Sequence, residues 1–215
     1  MRGQSAASKP LRPRPIVHVM SDVQDFDIFV SGGGVAGLAA TIAFAQAGFR
    51  TLCADPAPPV TDRDAEGADL RTTAFLQPSQ AFLERIGVWD RLAPHAMPLQ
   101  VMRIVDAGGE VPKPRVAHDF DAADISEKPF GWNLPNWLLR REMVQQIASL
   151  PMAEFRPGTG TAHVLTRAKE ARVTLSDGTR LRAKLVVAAD GRSSPVREAA
   201  GIGVRTLRYG QKALA

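Results

Sequence analysis

One cysteine in 215 residues leaves no partner for an intramolecular disulfide. Cys53 lies in an apolar run and reads as inert core, and its solitude fits a reducing compartment. Long apolar runs are missing too, because Asp, Arg and Pro interrupt every candidate before the roughly 20 residues that cross a bilayer. The expectation is a soluble, cytoplasmic chain, with a peripheral seat on the inner membrane left open. Histidine is scarce: His18, His95, His118 and His163 stand apart, without metal-ligand or triad spacing. No metal site and no acid–base constellation is expected from them. Internal repeats are absent as well.

Charge is present but poorly arranged for nucleic acid. Residues 1–21 carry four basic groups (Arg2, Lys9, Arg12, Arg14) and no acid, residues 22–162 hold 12 basic and 18 acidic residues, and residues 163–215 hold 11 and 4. The net +5 therefore gathers at the two ends, with no aromatic-interleaved basic cluster. No nucleic-acid partner is expected, and the basic ends read as solvated faces. A phosphate-rich, membrane-surface or biosynthetic-complex partner for them stays open.

The first 21 residues, "MRGQSAASKPLRPRPIVHVMS", are rich in Pro, Ser and basic residues and lack core periodicity, so they read as a disordered basic tail. They have no apolar h-region, and Met20 is the simpler candidate for a natural start. From Phe26 the pattern becomes strand, glycine turn, helix and strand: "FDIFVS", then "VAGLAATIAFAQA" closed by Gly48, then "FRTLCAD". That is one βαβ unit. An exposed loop over 57–70 follows, then a helix with Pro78 in its first turn, Phe82, Leu83 and Ile86 facing inward and Gly87 at its end. "LQVMRIVDAGGEV" suggests a hairpin about Ala-Gly-Gly, and 112–130 reads as irregular. "PNWLLRREMVQQIASLP" predicts a helix with Asn136 as N-cap and Pro151 as stop. The stretch from Thr161 to Gly191 predicts three or four short strands, one pair turned by Asp177-Gly178.

Chemistry enters at Gly32-Gly33-Gly34-Val35-Ala36-Gly37, whose first, third and sixth positions fit G-x-G-x-x-G. Gly32 permits the tight turn, Gly34 lets a pyrophosphate approach the backbone, and Gly37 lets helix and strand pack closely. The helix N-terminus offers unpaired N–H groups and a positive dipole end to the phosphates. Asp55 ends the second strand, 18 residues past Gly37, where a carboxylate accepts ribose hydroxyls and repels a 2′-phosphate. FAD or NAD is thereby preferred to NADP, and spacing does not choose between them. A second candidate lies in "LVVAADGRSSPVR": a buried strand runs into Asp190-Gly191, at the strand end where open α/β sheets bind ligands, with Ser194 and Arg197 beyond.

"SGGGVAGL", "DLRTTAF" with Arg71, "LLRREM" and "VVAADGRSSPVR" occur in the order seen in single-component FAD-dependent aromatic hydroxylases, and the chain resembles that family over about residues 26–212. "RTTAFLQPSQAFLERIGVWDRL" and "FGWNLPN" bring it nearest the ubiquinone-biosynthesis hydroxylases. The resemblance implies an α/β fold: a Rossmann-like FAD-binding domain of three-layer ββα type over 22–215, incomplete at its C-terminus, with 97–130 as the start of an interleaved β-rich substrate domain. It implies that Gly32, Gly33, Gly34, Val35, Ala36, Gly37 and Asp55 hold the ADP half of FAD. Arg71 and Arg140 would meet the flavin's phosphate or ribitol side, and Asp190 with Gly191 would serve the cleft shared by FAD and the incoming nicotinamide. Arg141 and Trp137 leave the register around Arg140 open, and Thr41 stands where flavin-binding helices often carry Gly or Ala.

The activity so implied is hydroxylation of an aromatic ring, on a prenylated phenol or ubiquinone precursor. NAD(P)H is the co-substrate, and O₂ enters through a flavin C4a-hydroperoxide, with the protein supplying orientation and exclusion of water. Family members also carry a Gly-Asp motif that would fall beyond residue 215. The chain is therefore expected to be an N-terminal fragment that binds FAD weakly and does not hydroxylate. Another member of the flavoprotein superfamily, such as a prenyl reductase or other phenol hydroxylase, and a non-catalytic dinucleotide-binding module are the competing readings.

Overall fold

The computed structural model describes residues 23–211, apart from 109 and 112. The basic tail, Met20 and His18 lie outside the described residues. The chain forms, in order, β1 (Gln24–Ser31), α1 (Val35–Gln46), β2 (Thr51–Asp55), β3 (Thr72–Leu76), α2 (Gln77–Arg85), α3 (Trp89–Leu92), β4 (Met97–Leu99), β5 (Val101–Gly108) and β6 (Lys113–Asp121). It continues with β7 (Gly131–Pro135), α4 (Asn136–Ala148), β8 (Ala153–Pro157), β9 (Thr161–Thr166), β10 (Ala171–Leu175), β11 (Arg180–Ala188) and α5 (Pro195–Ala199).

Six strands make the main sheet in the order β8-β2-β1-β11-β10-β9. β1, β2, β8 and β11 run parallel, and β9 and β10 continue the sheet antiparallel. β1 and β2 carry buried side chains on both faces, as a covered parallel sheet requires. Ile28, Val30 and Cys53 form one buried cluster with Phe44 of α1 against it, while Phe29, Leu52 and Ala54 join Val173 and Leu181 in another. β8 is a correction to the sequence reading, which passed over "AEFRP": it pairs with β2 from Thr51↔Ala153 to Asp55↔Pro157. Five residues of mixed polarity give too little alternation to reveal a strand.

α1 and α4 carry a third cluster, in which Leu38 and Ile42 meet Leu138, Leu139 and Met143. Phe75 from β3 and Leu134 from β7 close it from a three-stranded sheet ordered β3-β7-β4. α1 precedes β2 and α4 precedes β8, both strands point the same way, and each helix returns antiparallel to its strand. The two helices therefore run parallel, and both begin at the carboxyl ends of the parallel strands.

Further expectations change at this level. Leu83 and Ile86 are buried as expected, but Phe82 is exposed. Asn136 is not an N-cap: Pro135 occupies that position, and Asn136 is the first helical residue. The segment taken as irregular contains β6, which pairs with β5 over its length. Every described side chain of β6 is exposed, so no burial pattern marks it in sequence. No helix among the described residues is long and apolar enough to cross a membrane.

Candidate functional site

The parallel register sets Ser31 beside both Ala54 and Ala188, so the chain leaves β1, β2 and β11 at one edge. Gly32 donates its N–H to Ala54 O at 2.8 Å, and Ala189 donates to Ser31 O at 2.8 Å. That ladder brings Gly32, Gly34, Asp55 and Asp190-Gly191 to a single cleft of about 670 Å³, also lined by Thr161, while Gly33, Val35, Ala36 and Gly37 stand behind its lining. Residues more than 150 positions apart in sequence meet there.

Gly32 has φ +106°, and a Cβ on it would stand 2.3 Å from Ala189 O. At Gly37 a Cβ would stand 1.8 Å from Gly32 O, so any side chain drives α1 off the turn. Gly34 differs, since a Cβ there meets nothing within 4 Å. Its lack of a side chain leaves room on the cleft side. The first amides of α1 have no intrahelical acceptor, and neither a capping side chain nor an acidic residue occupies the first turn. The helix end is thus free for an anion.

Asp55 is held from two sides. Gly33 N donates to Oδ2 at 2.6 Å and Ala57 N to Oδ1 at 2.8 Å, leaving lone pairs on both oxygens for hydroxyl donors. Gly33 is therefore committed to orienting Asp55, and a Cβ on it would crowd Asp55 Cβ and the Phe155 ring at 2.9 Å. Asp190 Oδ2 accepts from Val196 N at 3.1 Å, and Ser194 Oγ accepts from Arg197 N at 3.0 Å, so both side chains fix the start of α5. Asp190 Oδ1 is buried with no partner among the described residues. A carboxylate oxygen without a donor is costly in a folded chain, and beside this cleft it fits a ligand hydroxyl or amide.

Arg71 and Arg140 do not line this cleft. They meet each other at Asp69, beside the first turn of α4. Because α4 begins at the same sheet edge as α1, the arginines lie on the cleft's side of the molecule. Trp137 is drawn off to stack with Arg141, whose guanidinium carbon lies 5.1 Å from its ring centroid. Arg141 also pairs with Glu142. Asp69 and Asn136 were missed as site residues. Their only sequence signal is an acid two residues before Arg71 and an amide four before Arg140. Thr41 is accommodated, because its hydroxyl donates to Gly37 O at 2.8 Å. Cys53 is buried, and burial pushes its thiol up to about 12, which removes it from any nucleophilic role. Among the described residues no group of His, Cys, Asp and Glu is placed to hold a metal.

Known proteins resemble this chain in sequence and in fold. The chain is 35% identical over 214 residues to a ubiquinone hydroxylase, UbiL, of Rhodospirillum rubrum, covering all of this chain and 48% of that protein. It is 34% identical over 197 residues to 3-demethoxyubiquinol 3-hydroxylase of Escherichia coli, covering 89% and 48%. The chain thus spans about half the length of the curated relatives it matches. In fold it resembles p-nitrophenol 4-monooxygenase PnpA of Pseudomonas putida, with a TM-score of 0.67 at 22% identity over 83% of this chain and 44% of that one. A family model described as "FAD binding domain" matches residues 25–211, a span that contains every residue of the cleft, and the chain belongs to that family.

Proposed function

We propose that this chain supplies the FAD-binding part of a flavin-dependent aromatic monooxygenase that hydroxylates a phenolic ubiquinone precursor with NAD(P)H and O₂. The observation that carries the reading is the cleft itself, with open Gly34, the bare first turn of α1, an oriented Asp55 and the unpartnered Asp190 Oδ1 converging on it. The names of the relatives, ubiquinone and demethoxyubiquinol hydroxylases, support the substrate class. Bound FAD would supply the redox chemistry, taking reducing equivalents from NAD(P)H and activating O₂.

The chain's own residues have the remaining tasks. The α1 amides would hold the diphosphate, with Asp55 on the adenosine ribose. Asp190 Oδ1 would accept from a hydroxyl of the bound cofactor, with Gly191 leaving the approach open. Arg71 and Arg140 would serve the flavin's phosphate or ribitol side. Residues 97–130, which contain β4, β5 and β6, would belong to the substrate-facing part, and 22–215 to the FAD-binding part. Among the described residues the Leu185–Ala188 half of β11 pairs with β1 alone, and Leu185 is 47% exposed. The chain alone would bind FAD weakly and would not hydroxylate.

Titrating the purified chain with FAD, followed by NAD(P)H oxidation assays with a phenol, tests the reading. Flavin binding without substrate-dependent oxidation is expected. Stoichiometric flavin with turnover would overturn the inactivity, and no binding at millimolar FAD would overturn the site.

A further inference from the structure

Two arginines from separate elements converge on Asp69, a residue that neither glycine-bearing motif includes. Its side chain is only 14% exposed. Arg71 Nε donates to Oδ1 and Nη2 to Oδ2, both at 2.9 Å, and the Arg71 backbone N–H reaches Oδ1 at 3.2 Å. Asn136 Nδ2 adds a bond to Oδ2 at 3.0 Å, and Arg140 Nη2 stands 3.9 Å from the same oxygen. Asn136 is itself aimed, because its Oδ1 accepts from the Thr73 hydroxyl at 2.5 Å.

Two cations against one anion leave the cluster positive, and the first turn of α4 adds the positive end of a helix dipole. Asp69 occupies one edge of the Arg71 guanidinium. The other N–H groups remain for a second partner, on a side chain that is 68% exposed. A free arginine would lose rotamer freedom on meeting a ligand, and one fixed beforehand loses less.

We infer that Asp69 is a positioning residue, which holds Arg71 pre-set for the flavin side of FAD. The inference rests on the FAD reading of the cleft. The glycine turn and Asp55 serve the ADP half, so Asp69 should govern the extra affinity of FAD over ADP. Its effect should pass through Arg71.

The test measures affinities of the chain for FAD, by flavin fluorescence quenching, and for ADP, by calorimetry, in Asp69→Asn, Arg71→Ala and the double variant. Asp69→Asn should weaken FAD about tenfold, the scale of a lost charge-assisted contact, and leave ADP within about twofold. Arg71→Ala should do the same, and the double variant should bind no more weakly than Arg71→Ala alone. FAD affinity unchanged or tightened by Asp69→Asn overturns the inference, as do equal losses for FAD and ADP or additive losses in the double variant. Should Asp69→Asn fail to fold, Asp69→Glu must still shift the FAD-to-ADP ratio, and an unchanged ratio is equally fatal. A wild-type chain that binds no FAD overturns the reading of the cleft and this role with it.

Discussion

The βαβ body around the glycine turn and the β5–β6 ribbon are both built from regular hydrogen-bonded backbone, yet they differ in almost everything else. In the body, Phe29, Val30, Leu52 and Cys53 are fully shielded from solvent, with side chains from both sides of the sheet against them. In the ribbon, Val101, Met102, Ile104, Val116 and Phe120 are all exposed, and the side-chain pairing between its strands includes a two-pronged Arg103–Asp119 contact at 2.7 Å. Backbone pairing alone does not make a stable element, and a two-stranded hairpin is marginal until something packs on it. The body defines its own geometry, whereas the ribbon depends on its surroundings.

The largest effect should come from breaking the body at its tightest contact. Gly37→Val puts a branched side chain where a single Cβ already lies 1.8 Å from Gly32 O. Rigid backbone on both sides allows no relief, so the loss should be at least about 3 kcal/mol in a denaturant titration, or failure to fold. A normal denaturation midpoint would show that the α1–turn packing is looser than described. Gly34→Ala sharpens the same point, since its φ of −69° suits alanine and the added methyl meets nothing. Stability should change by less than about 1 kcal/mol, while FAD binding weakens because the methyl enters the cleft. Unchanged FAD affinity would remove Gly34 from the cofactor's path.

The next effect belongs to the seam between body and three-stranded sheet. Arg71 beside Asp69 holds its carboxyl well below the ordinary value of 3.8, with Asn136 adding to the same direction and burial opposing it. A depressed folded-state pKa stabilises the fold above the unfolded value, and that stability is lost as pH falls through the folded value. The stability gap between wild type and Asp69→Asn should therefore be constant above about pH 5 and shrink progressively below 3.8. Denaturant midpoints of both proteins across that range measure it. A gap that does not change with pH would mean that the Arg71 pairing adds nothing to the fold.

The same contrast explains what could be read in advance. The glycine turn, α1, β2 and Asp55 are contiguous, and their periodicity and spacing express local physics. Asp190 was recognisable from its strand and glycine, although its meeting with Gly32 depends on the β1–β11 register. β8, Phe82 and β6 were misread because their burial is decided by distant partners, or by having none. Arg71 and Arg140 were named separately. That they share Asp69 follows from α4 starting at the β3 end of a second sheet: Asn136 N bonds to Arg71 O at 2.9 Å, a contact that no local pattern encodes.

The smallest effect should come from the ribbon, and it separates pairing from packing most directly. Arg103 and Asp119 are opposed across the two strands, with side chains 68% and 45% exposed, so water and salt compete for both charges. Arg103→Ala should leave the thermal midpoint of the chain unchanged, because the body's core does not include the ribbon. Hydrogen exchange reads what the melt does not. Amides of β5 and β6 should exchange far faster than those of β1 and β11 already in the wild type, since local opening there exposes little new apolar surface. Removing Arg103 should speed the ribbon further while the body's rates stay fixed. Slow exchange across β5 and β6, or a body that loosens when Arg103 is removed, would show that the two regions open as one cooperative unit and that the ribbon's exposed side chains understate its attachment.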